Sequence, residues 1–560
     1  MIGETISGHC WMMINGMKQS RLSWWRHWSE LAEYILPRRF KALVAATDWN
    51  RGQALNRAIL DSTGTLAART LAAGMMSGIT SPTRPWFHLS IEGFDPEAVN
   101  DVTVWLSEVE RRMNRVFQES NFYNACSVMW GDLGVFGTAP VIIYEDYDDI
   151  IRCYNLTCGE YYLANSDRYA VDLIGREFTL TTRAMVQWFG VENCSHMVQS
   201  AWDDPIRHNQ EWKVYHLIEP NTEDVEHLTV PKTFPYREIY WEEQLTGTPS
   251  SVLRQSGLHE FPAMVPRWDL TSNDAYGRSP AMEALPDIKQ LQQETKRKAQ
   301  AIDKMVTPPV VADVQLKNQP TSLLPGGVTY VSGINNVGVK PIYTVLPPVA
   351  ELKDDIREIQ ARIKTIFYND LFLMISQLDT VRTATEIDRR SAEQLVMLGP
   401  VLERSNNEAL SPAIERTFAI MNRAGLIPPP PQQIQGAHIK VDFVSMLADA
   451  QAAVGTIAIE RTLGLAGNLV AIQPDIMDNI DTDETIQEYA RKLRIDPKLL
   501  RSDQAIAQLR QARNQAQQEQ QALAAAPQIA KAGKTLADTN TGAGQNALQL
   551  MMGGAGGAGG

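Results

Sequence analysis

One stretch constrains this chain more than any other. Leu352, Ile356, Ile359, Ile363 and Ile366 fall at steps of 4, 3, 4 and 3. That spacing places all five on one stripe of an α-helix and makes a packing seam for another helix. The helix predicted around it spans 350–375, and at ~1.5 Å per residue it is about 39 Å long. A second long helix is predicted over 278–306, with Ala281, Leu285, Ile288, Leu291, Ile302 and Met305 on one side. Pro286 lies near its start, where a kink is expected. Thr307-Pro308-Pro309 ends it. Between the two helices, residues 307–349 hold short valine-rich runs, with Pro325-Gly326-Gly327 as a turn.

Residues 1–277 read as one mixed α+β unit. The segment 18–36 is an amphipathic helix with Trp24, Trp28, Leu31, Ala32 and Ile35 on its apolar face, stopped by Pro37. A helix over 60–79 is rich in small residues, among them Gly64, Gly74 and Gly78. Glycine weakens an isolated helix, so its repeated use predicts close approach of a neighbouring backbone. A strand is predicted at 86–89 and helices at 102–117 and 122–133. Short β-rich runs follow at 141–144, 168–180, 212–218, 236–241 and 264–268.

Beyond the pair, 376–383 breaks the helical pattern. A helix is then predicted over 384–425, kinked by Pro400 and Pro412. Residues 426–431 form a stiff proline-rich linker. A strand at 439–444 and helices at 448–472 and 484–495 come next. A Gln- and Ala-rich stretch extends to 526, and the glycine-rich tail 527–560 is expected to be disordered.

The 560 residues carry 44% hydrophobic and 21% charged side chains, the composition of a folded soluble protein. No run approaches the ~18 apolar residues that span a bilayer, and no secretory signal is expected at the start. Five cysteines are an odd number, which argues against a disulfide framework and for a reducing cytoplasm. Cys153 and Cys158 make a weak zinc candidate; buried thiols are the better reading. The net charge of −13 is opposite to that of a protein holding DNA tightly through its phosphates. Tight sequence-specific DNA binding is disfavoured, and loose passage of DNA is permitted.

Catalytic motifs are broken wherever they are approached. Ala532-Gly533-Lys534-Thr535 has Gln528 where a phosphate-binding loop needs its first glycine. Gly74-Met75-Met76-Ser77-Gly78 places the serine one position late for a nucleophile elbow. The nine histidines form no metal-binding pair, and Asp146, Asp148 and Asp149 lack calcium-loop spacing. We expect no catalytic residues, no metal and no cofactor. Two basic groups remain: Lys296, Arg297 and Lys298 on the first long helix, and Lys353, Arg357, Arg362 and Lys364 on the second. They form either a solvated face paired with Glu294, Asp354 and Glu358, or contacts to DNA phosphates. On the second reading Lys296, Arg297, Lys298, Arg362 and Lys364 line a channel.

Several stretches resemble a known family in order and spacing. They are Trp28-Ser29-Glu30-Leu31-Ala32-Glu33-Tyr34-Ile35-Leu36-Pro37, Asp61-Ser62-Thr63-Gly64 through Leu71-Ala72-Ala73-Gly74-Met75, and Pro85-Trp86-Phe87. Further on, Ala275-Tyr276-Gly277-Arg278-Ser279-Pro280 and Thr383-Ala384-Thr385-Glu386-Ile387 continue the likeness. Together they are similar to portal proteins, the head-to-tail connectors of T7-like short-tailed bacteriophages.

The resemblance implies a predominantly helical α+β portal fold assembled as a ring, usually a dodecamer. Its parts would be a wing (1–277), first stem helix (278–306), clip (307–349), second stem helix (350–375) and tunnel loop (376–383). A long kinked helix (384–425), wing return or crown (426–483), crown or barrel helices (484–526) and the tail would follow. It implies double-stranded DNA passing through the channel during packaging and ejection, with Gln377, Asp379, Thr380 and Arg382 of the tunnel loop nearest to it. Implied partners are the terminase large subunit, the major capsid and scaffolding proteins and the tail adaptors, with no membrane. The location would be the capsid portal vertex of the virion, after assembly in the host cytoplasm. Two other classes compete with this one. A tail adaptor or tube protein is generally shorter and lacks two long helices flanking a β-rich segment. A DNA-packaging nucleotide hydrolase is opposed by the broken phosphate-loop match.

Overall fold

The structure is a computed structural model. It describes residues 6–40, 55–91, 100–222, 230–242, 252–306, 310–312, 339–341, 349–377, 398–431 and 439–443, with isolated positions elsewhere. The chain divides into two compact units, Met1–Val454 and Gly455–Gly560. In the second, only scattered helical positions such as 509–513 are described. The Pro325-Gly326-Gly327 turn, the helices at 448–472 and 484–495 and nearly all of the tail lie outside the described residues.

Helix α1 (Ile6–Tyr34) starts well before its predicted beginning and stops where Pro37 opens a short 3-10 turn. Its face of Trp28, Leu31, Ala32 and Ile35 is fully buried. The Trp28 indole N–H donates to the Phe136 carbonyl at 3.2 Å, as a buried indole requires. Helix α2 (Thr63–Ile79) buries Gly64, Ala67, Ala68, Gly74 and Gly78. A Cβ on Gly74 would lie 2.2 Å from the Phe372 ring, and one on Gly64 would lie 3.0 Å from Ile288. At these two positions the room is taken by side chains of the two long helical segments, while a neighbouring helix comes close at Ala72, whose Cβ lies 3.8 Å from where a Cβ on Gly131 would stand.

Strand β1 (Phe87–Ile91) and helices α3 (Asn100–Glu119) and α4 (Phe122–Phe136) follow. The sheets are built from β2 (Val141–Asp146), β3 (Ile150–Asn155), β4 (Tyr161–Asn165), β5 (Val171–Thr181), β6 (Glu211–Pro220), β7 (Tyr236–Glu242), β8 (Val252–Leu258) and β9 (Ala263–Met264). They form a three-stranded sheet in the order β3-β2-β9 and a five-stranded antiparallel sheet in the order β4 through β8. Helices α5 (Thr182–Phe189) and α6 (His196–Trp202) interrupt the second sheet. The predicted strand at 168–180 begins late because Tyr169 sits in a turn at φ +59. The predicted strand at 264–268 is only two residues of β9. Pro266 has no N–H to continue a ladder, and the Val265 N–H turns away to the Glu408 carbonyl at 3.0 Å.

The predicted long helices are α7 (Pro280–Val306) and, in place of one 350–375 helix, two: α8 (Val349–Ile366) and α9 (Asn369–Gln377). At 18 residues α8 is about 27 Å long, not 39 Å. Tyr368 takes a left-handed φ of +54 and its carbonyl accepts the first hydrogen bond of α9, from Phe372 N–H at 3.1 Å. Asp370 then places a carboxylate in the first turn of the new helix, where the helix dipole favours it. The break turns Phe372 toward Gly74. Between α7 and α8, β10 (Val310–Ala312) pairs antiparallel with β11 (Val339–Pro341).

Helix α10 (Ser411–Arg423) is preceded by a π-helical turn, Asn406–Leu410. Pro412 cannot donate to the carbonyl four residues back, that of Glu408. This freed carbonyl is the one that receives Val265 N–H. The helix departs from regularity beside Pro412 as expected. Pro400 lies in a helical stretch at 398–405, whose predicted earlier part, 384–397, is outside the described residues. Finally β12 (Ile439–Phe443) pairs antiparallel with β1, setting Phe87 opposite Phe443.

The five-stranded sheet encloses charge. Glu238 on β7 accepts hydrogen bonds from His216 (2.9 Å), Tyr240 (3.0 Å), Ser256 (2.7 Å) and the Tyr144 hydroxyl, which reaches over from β2. Burial pushes His216 down to about 4. Its Nδ1 has no partner among the described residues, as fits a neutral ring donating through Nε2. On a second buried carboxylate, Glu219, converge His9 of α1 at 2.9 Å and Arg237 at 2.6 Å.

Candidate functional site: the paired helices and their footing

The isoleucine stripe packs within the chain. Ile356, Ile359 and Ile363 are buried, and Leu352 and Ile366 are half-buried. On α7 the facing residues Ala281, Leu285, Ile288 and Leu291 are buried too. The pairing is antiparallel. Gln292 of α7 and Gln360 of α8 meet at Asp61, and Asp287, nearer the start of α7, meets Arg362, further along α8.

Asp61 is the polar anchor of this footing. Its Oδ1 accepts from Thr63 N–H at 2.8 Å at the start of α2, while its Oδ2 accepts from Gln360 at 2.8 Å. The Gln292 side-chain oxygen accepts the N–H groups of Leu60 and Asp61 at 2.7 and 2.8 Å, and its amide donates back to the Asp61 carbonyl at 2.9 Å. Both helices are therefore fixed to one turn before α2. Asp-Ser-Thr is readable as a helix start, and Gln292 is a polar residue beside Leu291 on an apolar stripe. Their meeting across 231 positions has no local signal.

A second anchor lies at the π turn. The Glu408 carboxylate receives the Arg267 backbone N–H at 3.0 Å and its Nε at 3.1 Å, and pairs with the Nη2 as well. Arg267 is buried and also donates to the Tyr169 carbonyl at 2.9 Å. The π turn is thus joined to the sheets by side chain and backbone together.

Past this footing α7 changes character. Ile302, Met305 and Val306 are 42%, 46% and 73% exposed. The predicted apolar side of α7 is corrected: its first half is core, and its last turns are uncovered in the single chain. The basic residues lie on exposed surface. Arg297 pairs with Glu294 at 3.3 Å, Arg357 with Asp354 at 3.3 Å, and Arg362 with Asp287 at 3.3 Å and Glu358 at 3.7 Å. Lys296, Lys353 and Lys364 are exposed and Lys298 is half-buried. Gln377 is the last residue of α9, so the helix runs into the predicted 376–383 loop. Asp379, Thr380 and Arg382 lie outside the described residues.

Among the described residues no group of three or more His, Cys, Asp or Glu is arranged to hold a metal ion, and no helix is long and apolar enough to cross a membrane. All five cysteines are buried thiols, and burial pushes Cys10 and Cys153 up to about 12, which suits packing and not chemistry. What this arrangement offers is a helical pair rigidly rooted at one end.

Comparison with known proteins defines the class. The family described as bacteriophage head to tail connecting protein matches residues 7–500. The portal protein of Salmonella phage epsilon15 is 40% identical over 544 residues, covering 96% of this chain and 97% of its own. The probable portal protein of Bordetella phage BPP-1 is 42% identical over 537 residues, 95% of each. A chain from the virion of a native gene transfer agent particle aligns over 73% of this chain and 89% of its own, at 10% identity and a TM-score of 0.34. The chain belongs to the bacteriophage head-to-tail connecting family. It serves as a portal, a structural part of the phage capsid and not an enzyme.

Proposed function

We propose that the chain is one subunit of a ring, a dodecamer, at one capsid vertex, through which double-stranded DNA enters during packaging and leaves at ejection. In this reading α7 and α8 are the stem, residues 307–349 the clip, 1–277 the wing and the stretch from 376 the tunnel loop. The remaining segments, 384–526, supply the kinked helix, wing return and crown. The ring assembles in the host cytoplasm with major capsid and scaffolding proteins. Its clip docks the terminase large subunit, and later the tail adaptors. Gln377, Asp379, Thr380 and Arg382, with Lys296, Arg297, Lys298, Arg362 and Lys364, face the DNA, which slides because few phosphates are held at once.

The observation that carries the ring is the uncovered end of α7. One apolar stripe is buried at its footing and bare at Ile302, Met305 and Val306. Neighbouring copies of the same helix pair would cover that surface, as in obligate assemblies. Negative-stain microscopy and native mass spectrometry test it. The purified chain should form rings with a central hole, and Ile302→Asp should shift it to monomers without unfolding it. A wild-type monomer at all concentrations, with no ring on assembly with capsid protein, would sink the reading. Unimpaired rings from Ile302→Asp would remove α7 from the interface.

A further inference from the structure

Where α8 gives way to α9, the chain holds one arrangement while its sequence spells a second. The held arrangement carries two local costs on consecutive residues. Tyr368 sits at a left-handed φ of +54, a region that bulky side chains avoid. Asn369 is buried, and its amide oxygen has no hydrogen-bond partner among the described residues. A desolvated acceptor without a donor is unfavourable. Backbone strain of this kind persists only where surrounding packing imposes it, and it gathers at positions that switch.

The packing that imposes it is one seat. Phe372 is 2% exposed, and its ring fills the place beside Gly74 where a Cβ would stand. The next residue shows the opposite. Leu373 is 52% exposed. It lies seven residues after Ile366, which itself lies seven after Ile359. In an unbroken helix those three share one stripe, the seam facing α7. Phe372 is therefore served by the break, and Leu373 by its absence. The periodicity that predicts one helix over 350–375 belongs to that second arrangement.

The alternative has a defined geometry. A continuous helix from Val349 to Gln377 is about 43 Å long, against about 27 Å for α8 alone. In it Tyr368 returns to ordinary helical backbone. The N–H groups of Asn369 and Asp370 bond to the carbonyls of Thr365 and Ile366, four residues back.

We propose that the Tyr368–Asn369 junction is a hinge between these two arrangements, with the Phe372 seat on Gly74 as its catch. The broken form dominates because straightening exposes Phe372. Straightening lifts α9 from α2, extends α8 along its own stripe and carries the chain beyond Gln377 with it. That this stretch is the one nearest the DNA rests on the function proposed above; the hinge itself does not.

The test is double electron–electron resonance on the full chain, with spin labels at Glu358→Cys and Ser376→Cys. All five native thiols are buried, which confines labelling to the introduced pair. Eighteen residues make five full turns, so a straight helix holds the two labelled positions on one side, about 27 Å apart. The break brings them closer. The doubly labelled chain should show mainly the shorter distance. Gly74→Ala puts a methyl group in the seat, and Phe372→Ala removes the ring that fills it. Each should raise the ratio of long to short distances by at least about tenfold. Tyr368→Gly relieves the left-handed strain and should suppress the long distance further. The hinge is overturned if Gly74→Ala and Phe372→Ala both keep the shorter distance, or if Tyr368→Gly acts in the same direction as they do. It is also overturned if both give a broad distribution with loss of helix by circular dichroism, since the seat would then hold a fixed bend. Absence of rings in microscopy would sink the portal ring and leave this change of distance untouched.

Discussion

The five-stranded sheet and the paired helices handle charge in opposite ways. In the sheet, Glu219 and Glu238 are almost wholly removed from water, and each collects donors from residues far apart in the sequence. On α7 and α8 the ion pairs stay in solvent, and most join residues three or four apart on one helix. A desolvated carboxylate is tolerable only when every donor arrives, so the sheet is complete within one chain. The helix pair depends on its isoleucine seam and its Asp61 footing, and leaves the rest of its surface available to other molecules.

The sharpest way to break this contrast is Glu238→Ala. It leaves His216, Tyr144, Tyr240 and Ser256 without their common acceptor in a dry interior. The cost should be on the order of 1–3 kcal/mol, read from hydrogen exchange of β6 and β7 amides, which reports local opening in a chain too large for a single unfolding energy. Loss of less than about 1 kcal/mol would mean that water already reaches the cluster.

Acid should separate the two regions more gently. Folded His216 resists protonation down to about 4, against an ordinary value near 6.5. Between those values the unfolded chain takes up a proton that the folded chain refuses. Stability of the sheet therefore falls as pH drops from about 6.5 toward 4 and is unaffected by this group above that window. Helices α7 and α8 contain no histidine. Their amide protection should not follow this window, and His216→Gln should flatten the response of β6 and β7. A parallel response in both regions would show that the cluster is not its source.

Much of this was legible in the sequence because it is periodic. The stripe at Ile356, Ile359 and Ile363 and the face of α1 are repeats that any helix must bury. The strands at Phe87 and Ile439 are visible as separate runs, although their pairing is not. What escaped was set by distant partners. The break at Tyr368 follows from seating Phe372 against Gly74, and the π turn from an exchange between Pro412, Glu408 and Val265. Apolar residues at 302 and 305 continue the pattern of Ile288 and Leu291, and only three dimensions show them exposed. The charged residues of the proposed channel are the least legible, since an exposed Lys or Arg on a helix looks the same whether it meets water, DNA or a neighbour. The family resemblance supplied roles where the residues alone supplied only a fold class.

The smallest expected effect is the most demanding check on the helix pair. Arg362 spans both helices, from α8 to Asp287 of α7, and it also pairs with Glu358 on its own helix. If charge held the pair together, this residue would show it. Its side chain is 47% exposed, so solvent screening leaves little to lose. Arg362→Ala should lower α7 and α8 amide protection by no more than about 0.5 kcal/mol, with little change on adding salt. A loss above about 2 kcal/mol would place Arg362 beside Asp61 as part of the footing. The helices would then share the sheet's dependence on buried charge, and the division between a closed sheet and an open helix pair would no longer stand.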